Sequence, residues 1–241
     1  MSWISRNLSA SAAAIALIGL APSAALAGVV VSSSGPSAAQ FPVGRQIGPG
    51  QTFTLREGDI VTILENGGTR IFRGAGSHSL GTASAASRNR AFAALTTQRA
   101  AVRARTGAVR STASGEVRNP SLWYVDVAKA GTICLPRAST VRLWRADTQA
   151  ESTYAITPAQ GGNGWHVTFP AGEMLALWNA ATPPAPGTAY RIGHGTGNGP
   201  VEVRFAFLDT VPGTPEDLAN ALIAHGCTVQ LDQMAAAMTQ G

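Results

Sequence analysis

Four histidines, two cysteines and a thin scatter of carboxylates are the side chains of this 241-residue sequence best suited to chemistry. Gly76-Ser77-His78-Ser79-Leu80-Gly81 sets hydroxyls beside an imidazole, the pairing that activates a serine nucleophile. A hydrolase elbow needs Gly two residues before the serine and a strand-to-helix setting, whereas Ser77 stands there and the surroundings alternate like a hairpin. Ser79 and His78 therefore read as turn residues. The run from Gly193 through His194 and Gly195 to Gly199 has the glycine spacing of a phosphate loop, but Pro200 and a strand pattern follow where a helix N-terminus should stand. It reads as a hairpin tip. The four histidines (78, 166, 194, 225) never recur at i, i+2 or i, i+4, and there is no Cys-x-x-Cys, so neither a zinc site nor any other cofactor is expected. Glu57, Asp59 and Glu65 gather at turn positions that would solvate them, without the converging pair that acid/base catalysis needs.

The stretch around these residues, 51–81, is organised by strand and turn signals. Phe53 and Leu55 alternate with polar residues, Ile60, Val61, Ile63 and Leu64 form a second run, and Thr69, Ile71 and Phe72 a third. Glu57-Gly58-Asp59 and Asn66-Gly67-Gly68 supply the turns, so the stretch predicts consecutive β-hairpins. An isolated hairpin is marginal in water, so further strands, among them Val29-Val30-Val31, must join it.

Ahead of this lies an export signature. Arg6 precedes an apolar run from Ala12 to Leu20 that closes on Pro22 and Ala25-Leu26-Ala27, the layout of a secretory signal peptide over residues 1–27 with cleavage before Gly28. The run is shorter than the roughly 20 residues a membrane-spanning helix requires, so no span is expected after cleavage. Export places Cys134 and Cys227 in an oxidising compartment, and an even pair there predicts a single disulfide.

Residues 28–87 thus read as a small β-domain and residues 88–119 as a connector. The latter begins with an Ala/Arg-rich helix predicted over 88–106, with Phe92, Leu95 and Val102 on one face. Arg88, Arg90, Arg99, Arg103, Arg105, Arg110 and Arg118 face one acid, Glu116, between positions 88 and 118, a net of +6 in a chain whose total formal charge is +5. The first six are the candidate contacts for an anionic polymer, a lipid headgroup or an acidic protein face. Nucleic acid is not an expected partner, because the arginines lack a pattern of interleaved aromatics and the chain is exported.

Residues 120–211 carry eight short strand patterns at 123–127, 132–135, 140–146, 152–157, 165–169, 173–178, 189–192 and 201–208, the spacing of an Ig-like β-sandwich. Residues 212–241 predict a helical hairpin. Thr214 is the N-cap, Pro215 the first helical residue, Gly226 the C-cap, and Leu231, Met234 and Met238 share a face of the second helix. The expected fold is mainly β.

Val43-Gly44, the run from Thr54 to Leu64, and Gly68-Thr69-Arg70-Ile71-Phe72-Arg73-Gly74 resemble the periplasmic FecR-type β-domain, a strand-turn module of envelope signalling. The overall layout is also similar to a group of exported Gram-negative proteins with Trp-Tyr-x-Asp-Val opening the second domain (Trp123, Tyr124, Asp126, Val127) and Gly-Cys near the end (Gly226, Cys227). The resemblance implies a periplasmic module that makes contacts with an envelope protein and carries no catalytic residues. The expected function is accordingly a non-enzymatic binding or scaffold role. The competing expectations are a hydrolase built on Ser79 or His194, and an anionic-polymer or lipid binder built on the arginines.

Overall fold

A computed structural model describes residues 28–65, 68–80, 88–97, 117–137, 139–179, 181, 183–195 and 199–239, with 88–91 described by their backbone alone. The export segment 1–27, Asn66 and Gly67 of the second predicted turn, Arg99, Arg103, Arg105, Arg110 and the centre of the glycine-rich tip lie outside the described residues.

The fold is mainly β with two short C-terminal helices, as the sequence predicts. Its first part contains β1 (Gly28–Ser34), β2 (Gln46–Ile47), β3 (Thr52–Leu55), β4 (Ile60–Glu65), β5 (Gly68–Arg73) and β6 (Gly76–Ser79). β2, β1, β4 and β5 form one antiparallel sheet in that order, while β3 and β6 form a separate two-stranded ladder. The predicted hairpin between β4 and β5 is present, but the one between β3 and β4 is not. Asp59 explains the difference. Its carboxylate, 1% exposed, accepts the N–H of Arg56 at 2.6 Å and the N–H of Ser37 at 2.8 Å, fixing a corner rather than a flat hairpin turn. Gly58 takes φ 83° at that corner, where a side chain would be strained. The stretch 76–79, expected as turn, is instead the strand that closes against β3, pairing Ser79 with Thr52 and His78 with Phe53.

Strand alternation sends the sheet's side chains to two faces. Val30, Val61, Ile63 and Phe72 pack with Phe53 and Leu55 of the two-stranded ladder, while Val31 and Leu64 point the other way. That second face is covered by the C-terminal helices, α2 (Pro215–Ala224) and α3 (Thr228–Thr239), as contacts of both helices with β1 show.

The remaining strands are the eight the sequence predicts: β7 (Tyr124–Asp126), β8 (Gly131–Pro136), β9 (Arg142–Trp144), β10 (Ser152–Pro158), β11 (Trp165–Phe169), β12 (Leu175–Leu177), β13 (Ala189–His194) and β14 (Val201–Leu208). They make a five-stranded sheet, β11-β10-β13-β14-β8, and a three-stranded sheet, β12-β9-β7. Two of the ladders, β14 with β8 and β7 with β9, are parallel. Leu143 and Val125 from the smaller sheet share a core with Ile156, Phe169 and Phe205 from the larger.

The helical pair is joined to this sandwich by local geometry legible in its sequence. Thr214 Oγ1 accepts the Asp217 N–H at 3.2 Å and Pro215 opens α2, as an N-cap and first helical residue should. At the other end Gly226, with φ 71°, donates to the Ile223 carbonyl at 3.0 Å and Cys227 to the Leu222 carbonyl at 2.8 Å, the paired bonds of a Schellman ending. This reversal delivers Cys227 to β8, where it is disulfide-bonded to Cys134 with 5.9 Å between the Cα atoms. Leu218, Leu222, Leu231, Met234 and Met238 are buried in one cluster that also holds Val31 and Leu64 of the first sheet and Leu135 of the second. The helices therefore lie between the two β parts and belong to both.

The connecting helix α1 (Arg88–Thr96) is anchored at its end. Phe92 and Leu95 enter the same core, as their spacing predicts, and the Leu95 carbonyl accepts the Leu122 N–H at 3.0 Å while the Trp123 indole donates to the Thr96 carbonyl at 2.8 Å. Thr97 already lies past the helix, and residues 98–106 of the predicted helix lie outside the described residues.

Candidate functional site

Where α3 passes the β7 and β9 side of the sandwich it leaves a cleft of about 730 Å³. One wall is helical, from Val229 to Ala237, and the other comes from β7, β9 and the loops that follow them. Both walls are held rigidly. α3 is tied to β8 by the disulfide and by Gln230, a polar residue 2% exposed whose amide bonds the backbone of Cys134 and Leu122. The opposite wall is tied by Arg145, 4% exposed. Its guanidinium donates to the carbonyls of Glu173 (3.0 Å), Ala150 (2.8 Å) and Pro170 (2.8 Å) and to Ser152 Oγ, and lies 5.2 Å from the centre of the Phe169 ring. A buried cation needs this many acceptors to replace lost hydration.

The chemistry of the cleft is mixed. Tyr154 lines it half-buried, with Tyr124 and Trp144 almost wholly buried in its wall, and Asp126, Asp147 and Asp232 supply carboxylates, the last two exposed. Asp126 of β7 is in register with Trp144 of β9, so the two side chains leave the sheet on the same face as neighbours. Burial pushes the Asp126 carboxyl above the ordinary range, a shift opposed by the Ala128 N–H at 2.9 Å and by the charge of Lys129. Desolvation by its neighbours likewise raises Asp232, although the residue is exposed. Among the described residues neither carboxylate takes part in an ion pair. Trp144, 3% exposed, has a buried indole nitrogen without a hydrogen-bond partner among the described residues. Lys129 and Arg118 stand exposed at the rim.

A second, shallower groove of about 380 Å³ runs between β11 and β12, the outer strands of the two sheets, beside Leu177, which is 57% exposed. It has neither the carboxylates nor the pinned helical wall of the first.

The residues singled out in the sequence are not brought to one place. Ser79 and His78 lie in the β3/β6 ladder, and His194 lies in β13 of the five-stranded sheet. The His78 ring packs 5.8 Å from Phe53 and 5.5 Å from Phe72, and the His194 ring packs 5.0 Å from Tyr154. Arg88 and Arg90 fall in α1, and Arg118 is the cleft's rim residue. Among the described residues no three of His, Cys, Asp or Glu come together to hold a metal ion, and no helix is long and apolar enough to cross a membrane. Asp126, Trp144, Arg145, Gln230 and Asp232 went unremarked in the sequence as functional side chains. The one available signal was an acid, Asp126, inside the otherwise apolar pattern of Trp123 to Val127.

No family model, curated protein or solved structure matches this chain.

Proposed function

We propose that this chain is a non-catalytic binding protein of the Gram-negative periplasm that holds an envelope protein partner, and that a segment of the partner enters the cleft between α3 and the β7/β9 strands. The observation that carries the reading is the cleft itself, a groove lined by aromatic, acidic and basic residues between two walls that are each cross-tied to the core. Asp126, a carboxylate whose ionisation burial disfavours, stands in it, a feature that binding sites share. The export signature in residues 1–27 and the resemblance of residues 43–81 to a FecR-type module support the compartment and the role in signalling contacts.

Photo-crosslinking in living cells tests this. A photoreactive residue replacing Lys129 at the rim should give a discrete protein adduct, one replacing Gln160 in the turn after β10 should not, and Ala236→Trp, which fills the cleft, should abolish it. Adducts that are identical at both positions, or that survive Ala236→Trp, would refute the cleft as the contact.

A further inference from the structure

Glu65 ends β4 with its side chain fully buried and only half satisfied. Oε1 accepts from the Arg70 guanidinium at 2.7 Å, while Oε2 is buried without a hydrogen-bond partner. The Arg70 side chain is 40% exposed and its guanidinium lies 4.8 Å from the centre of the Phe72 ring, so this cation is partly solvated. A buried carboxylate oxygen without a donor is costly, and it calls for an N–H group at that end of the strand. The register names the neighbour. Val29 pairs with Leu64 and Val30 with Ile63, and one further antiparallel step sets Gly28, the first residue of β1, opposite Glu65. Opposite residues of such a ladder share a face, with side chains about 5 Å apart. The packing agrees with this placement. A Cβ on Gly28 would stand 2.7 Å from Ile63 Cγ2 and 2.9 Å from Leu80 Cδ1, and Ile63, two residues before Glu65, projects to the same face of β4. Gly28 is itself buried, and it is the residue at which the Ala25-Leu26-Ala27 signature sets a new N-terminus.

Resting on the reading of residues 1–27 as a cleaved export segment, we propose that cleavage creates the missing partner, and that the α-ammonium of Gly28 binds the Glu65 carboxylate in the mature chain. Hydrolysis of the Ala27–Gly28 peptide by a signal peptidase adds one water, leaving a carboxylate on Ala27 and an amine on Gly28 that takes up a proton. The ammonium brings three N–H donors and a charge, enough to serve the β2 side of the ladder and Glu65 together, where the amide of an uncleaved chain brings one N–H and no charge. Because Gly28 is buried, the peptidase reaches this bond only before β1 joins the sheet. β1 lies between β2 and β4, so the first sheet gains its full stability after processing rather than before it.

The test is a double-mutant cycle on chains exported to the periplasm and purified oxidised, with each N-terminus read from the intact mass. One change inserts a glycine after Ala27, so that processing leaves the ammonium one residue, about 3.5 Å, further out. The other is Glu65→Gln. Moving the ammonium in the parent should raise the unfolding equilibrium constant about tenfold or more in urea, the loss of a charge-assisted hydrogen bond, and should do little once Glu65 is replaced. Equal effects in the two backgrounds would overturn the ion pair, the insertion then acting by crowding alone. A second measurement needs no variant. Lys129 is the one lysine of the sequence and is exposed, so it serves as the reference amine. Brief acetylation at neutral pH should label Lys129 and spare Gly28 in the native chain, and label Gly28 first in urea, where its free α-amine is the less protonated of the two. Native Gly28 labelled as fast as Lys129 would overturn the pair. A purified chain that keeps residues 1–27 would overturn the export reading and this assignment together, and one cleaved at another bond would overturn this assignment alone.

Discussion

The side chain of Gln230 brackets Cys134. Its Oε1 accepts the Cys134 N–H at 2.6 Å and its Nε2 donates to the Cys134 carbonyl at 2.8 Å, so a helical residue completes the outer edge of β8 as a paired strand would. The same Nε2 donates to the Leu122 carbonyl at 2.7 Å. Cys134 is also bonded to Cys227, three residues before Gln230, so one strand residue holds the start of α3 by a covalent bond and by a two-way amide contact.

Gln230→Leu keeps the volume and removes every one of these bonds, leaving an N–H and two carbonyls buried without partners. It should cost about 2–4 kcal/mol in chemical denaturation under oxidising conditions. A change below the error of the measurement would mean that water or rearranged backbone satisfies the edge.

The disulfide closes a separation of 93 residues, for which the chain-entropy model gives up to about 4–5 kcal/mol. Cys134→Ala with Cys227→Ala should lower stability by an amount in this range or below it. Because α3 touches β1 and β5 as well as β8, amide exchange should quicken in the first sheet too. Exchange that quickens in the sandwich alone would show that the helices do not couple the two parts.

Arg145→Lys retains the charge and discards the fork that reaches the carbonyls of Glu173, Ala150 and Pro170. A loss of about 2–4 kcal/mol is expected from several unpaired buried acceptors together with a poorly solvated ammonium. Thermal unfolding of the purified variant checks this.

Asp59 and Asp126 should pull the acid dependence of stability in opposite directions. Burial acts to raise the Asp59 carboxyl, but the N–H groups of Ser37 and Arg56, with the Arg56 charge, outweigh it and hold the carboxyl below its ordinary value of 3.8. Its stabilising effect is therefore present above that value and is lost as pH falls through the lower folded-state one. Asp59→Asn should be less stable than the parent at neutral pH, with the gap closing in acid.

The raised carboxyl of Asp126 has the reverse sign: its native state holds the proton more tightly than the unfolded chain, so its contribution is full below 3.8 and lost as pH rises through the folded value. Asp126→Asn should match or exceed the parent's stability at neutral pH and converge with it or fall below it in acid. A variant less stable at neutral pH would show that Asp126 is kept for the fold rather than for binding.

The sequence by itself determined what is encoded within a few residues. The alternation of β7 to β14, the Thr214-Pro215 opening of α2 and the Gly226 ending each rest on backbone and side-chain preferences that act over one turn or one strand. The cysteine pair was legible because only two are present. Tertiary structure decided which strands meet. β3 joins β6 rather than β4 because a single buried carboxylate, Asp59, turns a predicted hairpin into a corner, and no periodicity reports where a carboxylate will be buried. It also decided that the helical pair lies between the sheets, and that Gln230 inside its apolar stripe is an edge cap. The cleft arises only from that docking. Asp126, Trp144 and Asp232 come from three elements, and what unites them is long-range packing, whose contacts span distances along the chain that local patterns do not encode.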